Sequence, residues 1–240
     1  MDPNHAVQEQ VRQALESEPR VDLHAFPLTL RFDDGTLTMQ GEMANVAAKK
    51  LALQAAGAVP DVTGIIDRLT VKPAQPMGDR EVRDHLRDAL YGESAVADCL
   101  LVAIDHGSPT VLRRPTDPIG RIEYEVDRGI VTINGALPTL ARKRLVGVLA
   151  WWVPGSSDVI NGIAIEPPEE DNVEDLEDAV KVVLEKDPFV NASQIRVGVR
   201  GTVVRLTGLV PSESEREMAE FDAWYTFGVD EVINEIGVRA

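Results

Sequence analysis

Apolar residues recur along this 240-residue chain in a pattern that is repeated three times. Each copy begins with apolar residues at offsets 0, 4, 7 and 8, which is the spacing of one face of an amphipathic helix. Two alternating strands, a second helix and a closing alternating strand follow, so each copy predicts the order α-β-β-α-β. The helix stripes are Val7, Val11, Ala14 and Leu15; Val82, Leu86, Ala89 and Leu90; and Leu176, Val180, Val183 and Leu184.

The first two strands of each copy are predicted to form a hairpin. The pairs Asp34-Gly35 and Arg128-Gly129 suit its turn, because glycine accepts the positive φ that a tight hairpin needs. In the third copy Gly201 lies seven rather than six residues before the glycine that ends the hairpin, which predicts a longer turn or a bulge. That final glycine recurs in every copy and indicates special backbone geometry or a close approach. The three positions are Gly41, Gly135 and Gly208.

A helix-capping residue stands four positions after each of these glycines. Asn45, Thr139 and Ser212 can each accept a hydrogen bond from an unpaired helix N–H. Ser212 and Glu215 also have the spacing of a reciprocal capping box. The copies agree at cap and core positions over thirty residues without a gap, which indicates a true internal repeat.

The sequence therefore predicts an α+β fold of three tandem α-β-β-α-β modules, each a small mixed sheet covered on one face by two helices. The modules are predicted at residues 1–73, 77–167 and 172–240, and the third is expected to fold as a closed module. The second carries an insertion at about residues 95–120, because 45 positions separate Leu90 from Gly135 where the other copies have 26 and 24. Within it, "CLLVAI" predicts a buried or edge strand and "RRPTDPIG" a turn-rich loop.

Charge and composition restrict the kinds of partner and the cellular compartment that the sequence predicts. The formal net charge is −16, and residues 167–240 alone hold 7 basic and 17 acidic side chains. A field of this sign repels nucleic acid and disfavours simple electrostatic adsorption to an anionic membrane. No apolar run approaches the roughly 20 residues of a membrane-spanning helix. A lone cysteine and no visible secretory signal predict a cytoplasmic protein, with peripheral membrane association left open.

The search for catalytic chemistry finds little. Phosphate-loop, dinucleotide-binding and zinc-protease motifs do not occur in the sequence. His106 beside Asp105 could be a base with its orienting group, but no nucleophile stands beside them. The acidic residues Asp171, Glu174 and Asp178 could hold a divalent cation, yet they lack the spacing of a calcium loop and better fit a linker that leads into a helix. The sequence predicts no enzyme, no metal and no cofactor.

A candidate binding surface combines basic and aromatic residues on one predicted helix. Trp151 and Trp224 occupy the same repeat position and are predicted to fill the joint between neighbouring modules. Their neighbours Trp152 and Tyr225 are candidates for contact with lipid or a partner protein. A helix that is basic at one end and aromatic at the other could lie at a membrane interface, or could equally be packed between modules. The basic residues of this candidate site are Arg142, Lys143 and Arg144.

The repeated pattern resembles the BON domain (bacterial OsmY and nodulation). The resemblance rests on "RGIVTING…DVINGIAI" and "RGTVVRLTG…GVDEVINEIGV", with a more diverged first copy, and it covers nearly the whole chain except the insertion. It implies a non-enzymatic binding protein associated with phospholipid or cell-envelope components, often in a stress or membrane-maintenance setting. A cytoplasmic protein–protein scaffold, or sensing of a small ion such as potassium, are the alternatives. The glycines that carry the motif structurally are Gly35, Gly41, Gly129, Gly135, Gly201 and Gly208.

Overall fold

The predicted element order is present three times in the structure, a computed structural model that describes residues 3–239. The first copy consists of α1 (Pro3–Glu16), β1 (Thr29–Asp33), β2 (Thr36–Met43), α2 (Val46–Gly57) and β3 (Gly64–Val71). The second consists of α3 (Asp79–Gly92), β4 (Cys99–Asp105), β5 (Ser108–Arg113), β6 (Gly120–Asp127), β7 (Ile130–Leu137), α4 (Leu140–Trp151), β8 (Asp158–Asn161) and β9 (Ala164–Ile165). The third consists of α5 (Val173–Lys186), β10 (Ile195–Arg200), β11 (Val203–Val210), α6 (Glu213–Tyr225) and β12 (Glu231–Val238). The predicted α+β class is confirmed.

Each copy builds its sheet in the same way. In the first copy β1 and β2 pair antiparallel as a hairpin, and β3 adds parallel to β2. The third copy repeats this arrangement with β10, β11 and β12. A helix joins the two parallel strands, as a crossover connection requires. No helix within residues 3–239 combines the length and the apolar character that crossing a bilayer would need.

The apolar stripes predicted for α1, α3 and α5 lie in the cores of their copies. Val11, Leu86 and Val180 are fully buried, and each such side chain contributes about 1.5–3 kcal/mol by leaving water. The chain divides into two compact units, residues 1–72 and residues 73–240. The first copy therefore has a core of its own, whereas the second and third copies share a unit.

The insertion extends the sheet of the second copy. Strand β4, which contains the predicted "CLLVAI" strand, lies in the interior of a sheet of order β5-β4-β6-β7-β8 and runs parallel to β6. Cys99 and Leu101 point into the core and are fully buried. A two-residue turn at His106 and Gly107 joins β4 to β5, and residues 114–119 form the predicted loop. The insertion thus adds strands to the sheet of the second copy and is not merely a surface loop.

The glycine that ends each hairpin lies where the partner strand leaves no room for a side chain. Gly41, Gly135 and Gly208 have φ angles of +153°, +127° and +150°. A Cβ atom on Gly135 would lie 2.1 Å from the carbonyl oxygen of Arg121, and one on Gly208 would lie 2.1 Å from that of Gln194. Both the backbone angle and the contact exclude a larger residue. The predicted close approach is confirmed.

The expected longer turn or bulge at Gly201 was wrong. Arg200 pairs directly with Val203, so the turn has two residues, the same length as in the other copies. Gly201 occupies the first turn position with φ +63°, whereas Gly35 and Gly129 occupy the second. Glycine at the first position suits a different two-residue turn type, which accounts for the changed spacing without any added residue.

The predicted helix caps are confirmed, but the capping box is not. Asn45, Thr139 and Ser212 each accept a hydrogen bond from the backbone N–H three residues later. The carboxylate of Glu215, however, accepts from the backbone N–H of Asn191 at 2.8 Å instead of returning to the cap residue. Glu215 therefore ties α6 to the segment that precedes β10.

An asparagine in the closing strand holds the second helix of the second and third copies. Asn161 Nδ2 donates to the carbonyl oxygen of Lys143 at 2.9 Å, and Asn234 Nδ2 donates to that of Arg216 at 3.1 Å. These four residues stand at matching positions of their copies. The asparagine of the "V-I-N" segment thus links the closing strand to the second helix, and we refer to this hydrogen bond as the clasp.

The first copy replaces this clasp by an ion pair. Asp67 stands at the asparagine position, and its carboxylate lies 3.0 Å from Nζ of Lys49. Lys49 is 7% exposed and also donates to the carbonyl oxygen of Leu69 at 2.8 Å. A buried ammonium needs such partners, because its charge has left water.

Replacement of Gly135 by valine is expected to destabilise the second unit by more than about 2 kcal/mol, because both the positive φ and the Arg121 carbonyl oppose a side chain. The measurement is urea unfolding of the full chain. Gly198→Val is the matched control, since Gly198 is exposed in a strand and a Cβ there would meet nothing within 4 Å. A loss below about 0.5 kcal/mol for Gly135→Val would contradict the close-approach explanation.

Asp67→Ala is expected to destabilise the first unit by about 1–3 kcal/mol, because the buried Lys49 would lose an ion-pair partner. Thermal unfolding of residues 1–72 and of the full chain measures this loss. Asp61→Ala removes an exposed carboxylate from the same unit and serves as the control. Equal effects of the two substitutions would show that the Lys49–Asp67 pair contributes nothing specific.

Candidate functional site

The predicted basic and aromatic residues lie on and directly after α4, except Tyr225, which ends α6, and most of them lie at the junction with the third copy. Arg142 is the exception, because its guanidinium pairs with Asp98 of the second copy, with Nη1 at 3.0 Å from Oδ1. Asp98 immediately precedes β4, so this contact fixes the start of α4 to the inserted strand. Burial acts to raise the pKa of Asp98, but the hydrogen bond from Arg142 and its charge act together against burial, and the pKa is lowered.

Arg144 is buried between the second and third copies, with 1% of its surface exposed. Its Nε donates to the carbonyl oxygen of Phe227 at 2.9 Å, and its Nη2 lies 2.6 Å from both carboxylate oxygens of Asp171. Phe227 follows α6, and Asp171 belongs to the acidic linker before α5. Asp171, considered above as a cation ligand, is therefore the counter-charge of a buried arginine.

Lys143 contacts the same loop from the other side. Its Nζ lies 4.5 Å from the centroid of the Phe227 ring, within the range of a cation–π interaction. Partial burial of the ammonium lowers the pKa of Lys143. Two adjacent basic residues of α4 thus hold one loop of the third copy.

Aromatic rings stack across the same junction. The rings of Trp151 and Tyr225 lie 5.5 Å apart with an interplanar angle of 10°, and Phe221 stacks on Tyr225 at 6.3 Å. Burial raises the pKa of Tyr225 to about 12, and the nearby Asp222 adds to the shift. Trp224 is buried, with 1% of its surface exposed. Trp151 therefore fills the joint between modules, as predicted.

A carboxyl group is buried at the centre of the junction. Trp152 Nε1 donates to Oδ1 of Asp222 at 2.8 Å, and Asp222 is 2% exposed. Burial raises the pKa of Asp222 to about 8, the Trp152 hydrogen bond opposes the shift, and the charge of Asp187 adds to it. The carboxyl is therefore mainly protonated at neutral pH. Nothing in the sequence pattern indicated this group.

One further ion pair joins the copies. Nζ of Lys186, at the end of α5, lies 2.9 Å from the carboxylate of Glu93, which follows α3 and is 8% exposed. The basic and aromatic residues on α4 and this pair together hold the second and third copies together. Of the predicted site, Arg144 is buried, and an external ligand could use only the partly exposed surfaces of Arg142, Lys143, Trp152 and Tyr225.

A second basic surface, which the sequence reading missed, lies on the uncovered face of the third sheet. Arg196, Gly198 and Arg200 point away from the helices along β10, and Arg205 stands beside Gly198 on β11. The alternation "R-V-G-V-R" was the signal for it, because side chains two apart share a face of a strand. We refer to Arg196, Arg200 and Arg205 as the arginine face.

The arginine face is only partly neutralised. Arg205 pairs with the exposed Glu235 of β12, with Nη1 at 2.8 Å from Oε1. Arg196 and Arg200 are exposed, and no acidic side chain within residues 3–239 pairs with them. Leu209 on the same face is 45% exposed. A partly unpaired basic patch, with apolar neighbours and with Glu231 and Glu235 on the adjacent strand, thus stands on the most acidic third of the chain.

Comparison with known proteins identifies the repeats. The model of the BON domain family matches residues 4–73, 110–167 and 172–240. The second match begins inside β5, so α3 and β4 lie outside it.

Solved structures with a likeness to the chain include two of CdsD, a structural protein of the type III secretion system of Chlamydia trachomatis. Its C-terminal domain is 15% identical over 97% of this chain and 96% of that one, with a TM-score of 0.26. A second CdsD structure is 14% identical over 98% and 92%, with a TM-score of 0.25. No curated protein matches the chain significantly.

Asp222→Asn is expected to flatten the pH dependence of stability of the second unit. The pKa of Asp222 is raised on folding, so its contribution is full below about pH 4 and declines by up to about 1.4 kcal/mol per pH unit towards pH 8. Asparagine keeps the acceptor for Trp152 and cannot ionise. Urea unfolding between pH 5 and pH 9 measures the slope, with Glu217→Gln on the exposed side of α6 as control. An unchanged slope in Asp222→Asn would contradict a buried protonated carboxyl.

Proposed function

Because the chain belongs to the BON domain family, we propose that it is a non-enzymatic binding protein that associates with phospholipid at the cell envelope. The family consists of binding modules known in general for phospholipid or envelope association. The observation that carries the proposal for this chain is the arginine face. It offers a local positive charge in a protein whose net charge is −16.

The arginine face has the composition of an interfacial surface. Membrane-surface binding combines buried apolar area with attraction of Lys and Arg to anionic lipid headgroups. Arg196 and Arg200 supply unpaired charge, and the partly exposed Leu209, Val203 and Ile233 supply apolar area on the same side of the sheet. Sheet faces covered by helices in this fold could not make such a contact.

The overall charge restricts how this binding can work. An acidic protein is repelled by an anionic membrane at long range, but charges are screened beyond a Debye length of about 8 Å at physiological ionic strength. A local patch can therefore act once the surfaces are in contact. Each arginine near an anionic surface contributes about 1 kcal/mol.

Vesicle co-sedimentation of the full chain tests the proposal. Wild type is expected to sediment with phosphatidylcholine vesicles that contain phosphatidylglycerol, and much less with phosphatidylcholine alone. Arg196→Gln with Arg200→Gln is expected to weaken binding by at least about tenfold, because two favourable charges are lost. Arg12→Gln with Arg114→Gln removes the same charge from exposed positions elsewhere and is expected to change binding by less than about twofold.

The sequence-predicted surface on α4 is the second candidate for the lipid contact. Trp152→Ala with Arg142 and Arg144 neutralised would weaken binding only if that surface contributes, and its unfolding curve must be measured because Arg144 is buried. If wild type sediments with neither kind of vesicle, the phospholipid proposal fails. The protein–protein scaffold then becomes the favoured function. If wild type binds and the Arg196→Gln, Arg200→Gln variant binds equally well, the choice of the arginine face is overturned.

A further inference from the structure

The junction between the second and third copies contains two carboxyl groups that are both removed from water. Asp222 on α6 is 2% exposed, and Asp187, directly after α5, is 9% exposed. The two side chains lie close enough to share a hydrogen bond. Two carboxylates at such a site cannot both stay charged at little cost, because like charges repel and neither is fully hydrated. The pair therefore holds a proton at neutral pH.

The hydrogen bonds of the pair assign this proton to Asp222. Oδ1 of Asp187 accepts from the backbone N–H of Phe189 at 2.8 Å, which favours the ionised form of Asp187. On Asp222, Oδ1 accepts from Nε1 of Trp152, but no donor within residues 3–239 reaches the buried Oδ2. A protonated carboxyl is itself a donor. Asp222 in this form donates to Asp187, and the pair is then satisfied.

The basic groups at this junction are bonded to other partners and do not neutralise the pair. From α4, Arg144 is bonded to Asp171 and to the carbonyl oxygen of Phe227, and Lys143 lies over the Phe227 ring. From α5, Lys186 pairs with a glutamate that follows α3. These cations hold the junction together at every pH at which proteins fold, whereas the Asp187–Asp222 contact depends on one proton.

The remaining groups around Asp222 carry no charge. Burial raises the pKa of Tyr225 to about 12, so its phenol is neutral. The hydroxyl of Thr226 donates to the backbone carbonyl oxygen of Asp222 at 3.0 Å. The buried side chains that β11 and β12 direct towards the helices are apolar. Loss of the proton would therefore leave two negative charges side by side, with no cation of residues 3–239 in an ion pair with either.

We propose that the Asp187–Asp222 pair is a proton-dependent switch of the contact between the second and third copies. While Asp222 holds the proton, the end of α4 stays bonded to α6 through Trp152, and water is excluded from the pair. When the proton leaves, the ionised pair requires hydration, and Trp152 moves away from α6 to admit water. The Trp152 hydrogen bond favours the ionised form of Asp222, but one bond does not replace the hydration that burial removes.

The pKa of Asp222 defines the pH range of this switch. It is about 8 while the carboxyl is buried, and an exposed aspartate has its ordinary value near 3.8. The equilibrium constant for opening is therefore expected to rise by up to about tenfold per pH unit below pH 8 and to be constant above it. The switch does not involve the arginine face, so it is independent of phospholipid binding.

Solvent exchange of the Trp152 indole Nε1–H tests the switch. It is followed by NMR on the full chain labelled with ¹⁵N-tryptophan between pH 6 and pH 9, with rates corrected for the intrinsic pH dependence of exchange. In wild type the corrected rate is expected to rise by up to about tenfold per pH unit and to level off near pH 8. Asp222→Asn keeps the acceptor and cannot ionise, so its corrected rate is expected to be constant. Glu217→Gln, on the exposed side of α6, is expected to behave as wild type.

A second variant keeps the test decisive if Asp222→Asn does not fold. Asp187→Asn removes the like charge and leaves Asp222 ionisable, so the levelling pH is expected to fall by about one unit. The proposal is overturned if the corrected wild-type rate is constant, if Asp222→Asn keeps the wild-type slope, or if Asp187→Asn leaves the levelling pH unchanged. It is also overturned if the buried indole of Trp224 accelerates by the same factor, because the whole unit would then be unfolding.

Discussion

The second unit depends on the burial of one charge, the guanidinium of Arg144. Arginine cannot release its proton in a protein, so its removal from water costs several kcal/mol unless partners replace the lost hydration. Those partners are Asp171 before α5 and the carbonyl oxygen of Phe227 after α6. One side chain of α4 is thus bonded to segments on either side of the third copy. The stack of Trp151 on Tyr225 and the Trp152–Asp222 hydrogen bond lie at the same junction as this ion pair.

This contact also decides which charges remain for outside partners. The basic run on α4 is largely used within the chain, and the acidic linker supplies its counter-charge through Asp171. Unpaired positive charge remains on the open sheet of the third copy, at Arg196 and Arg200. A chain with strongly negative net charge therefore presents a locally basic surface on its third copy.

The sequence predicted most of the fold, because the features that define it are local and repeated. The caps at Asn45, Thr139 and Ser212 and the close approach at Gly135 follow from residues a few positions apart. The shifted turn at Gly201 was misread, because glycine spacing alone does not distinguish turn length from turn type. The contacts of Arg144, Asp222 and Lys186 could not be predicted, because they join residues 27 to 93 positions apart through packing between copies. Apolar periodicity carries no information about which charged side chains meet across such a junction.

The inserted strands separate in sequence two elements that pack together, α3 and the hairpin of β6 and β7. The entropy of closing a loop grows only with the logarithm of its length, so 45 positions instead of 26 cost about 0.5 kcal/mol in equilibrium stability. Folding rate responds differently, because it falls as the mean sequence separation of native contacts rises. The parallel pairing of β4 with β6 adds contacts of this distant kind. Although the three copies share one topology, the insertion costs the second copy little equilibrium stability and is expected to slow its folding.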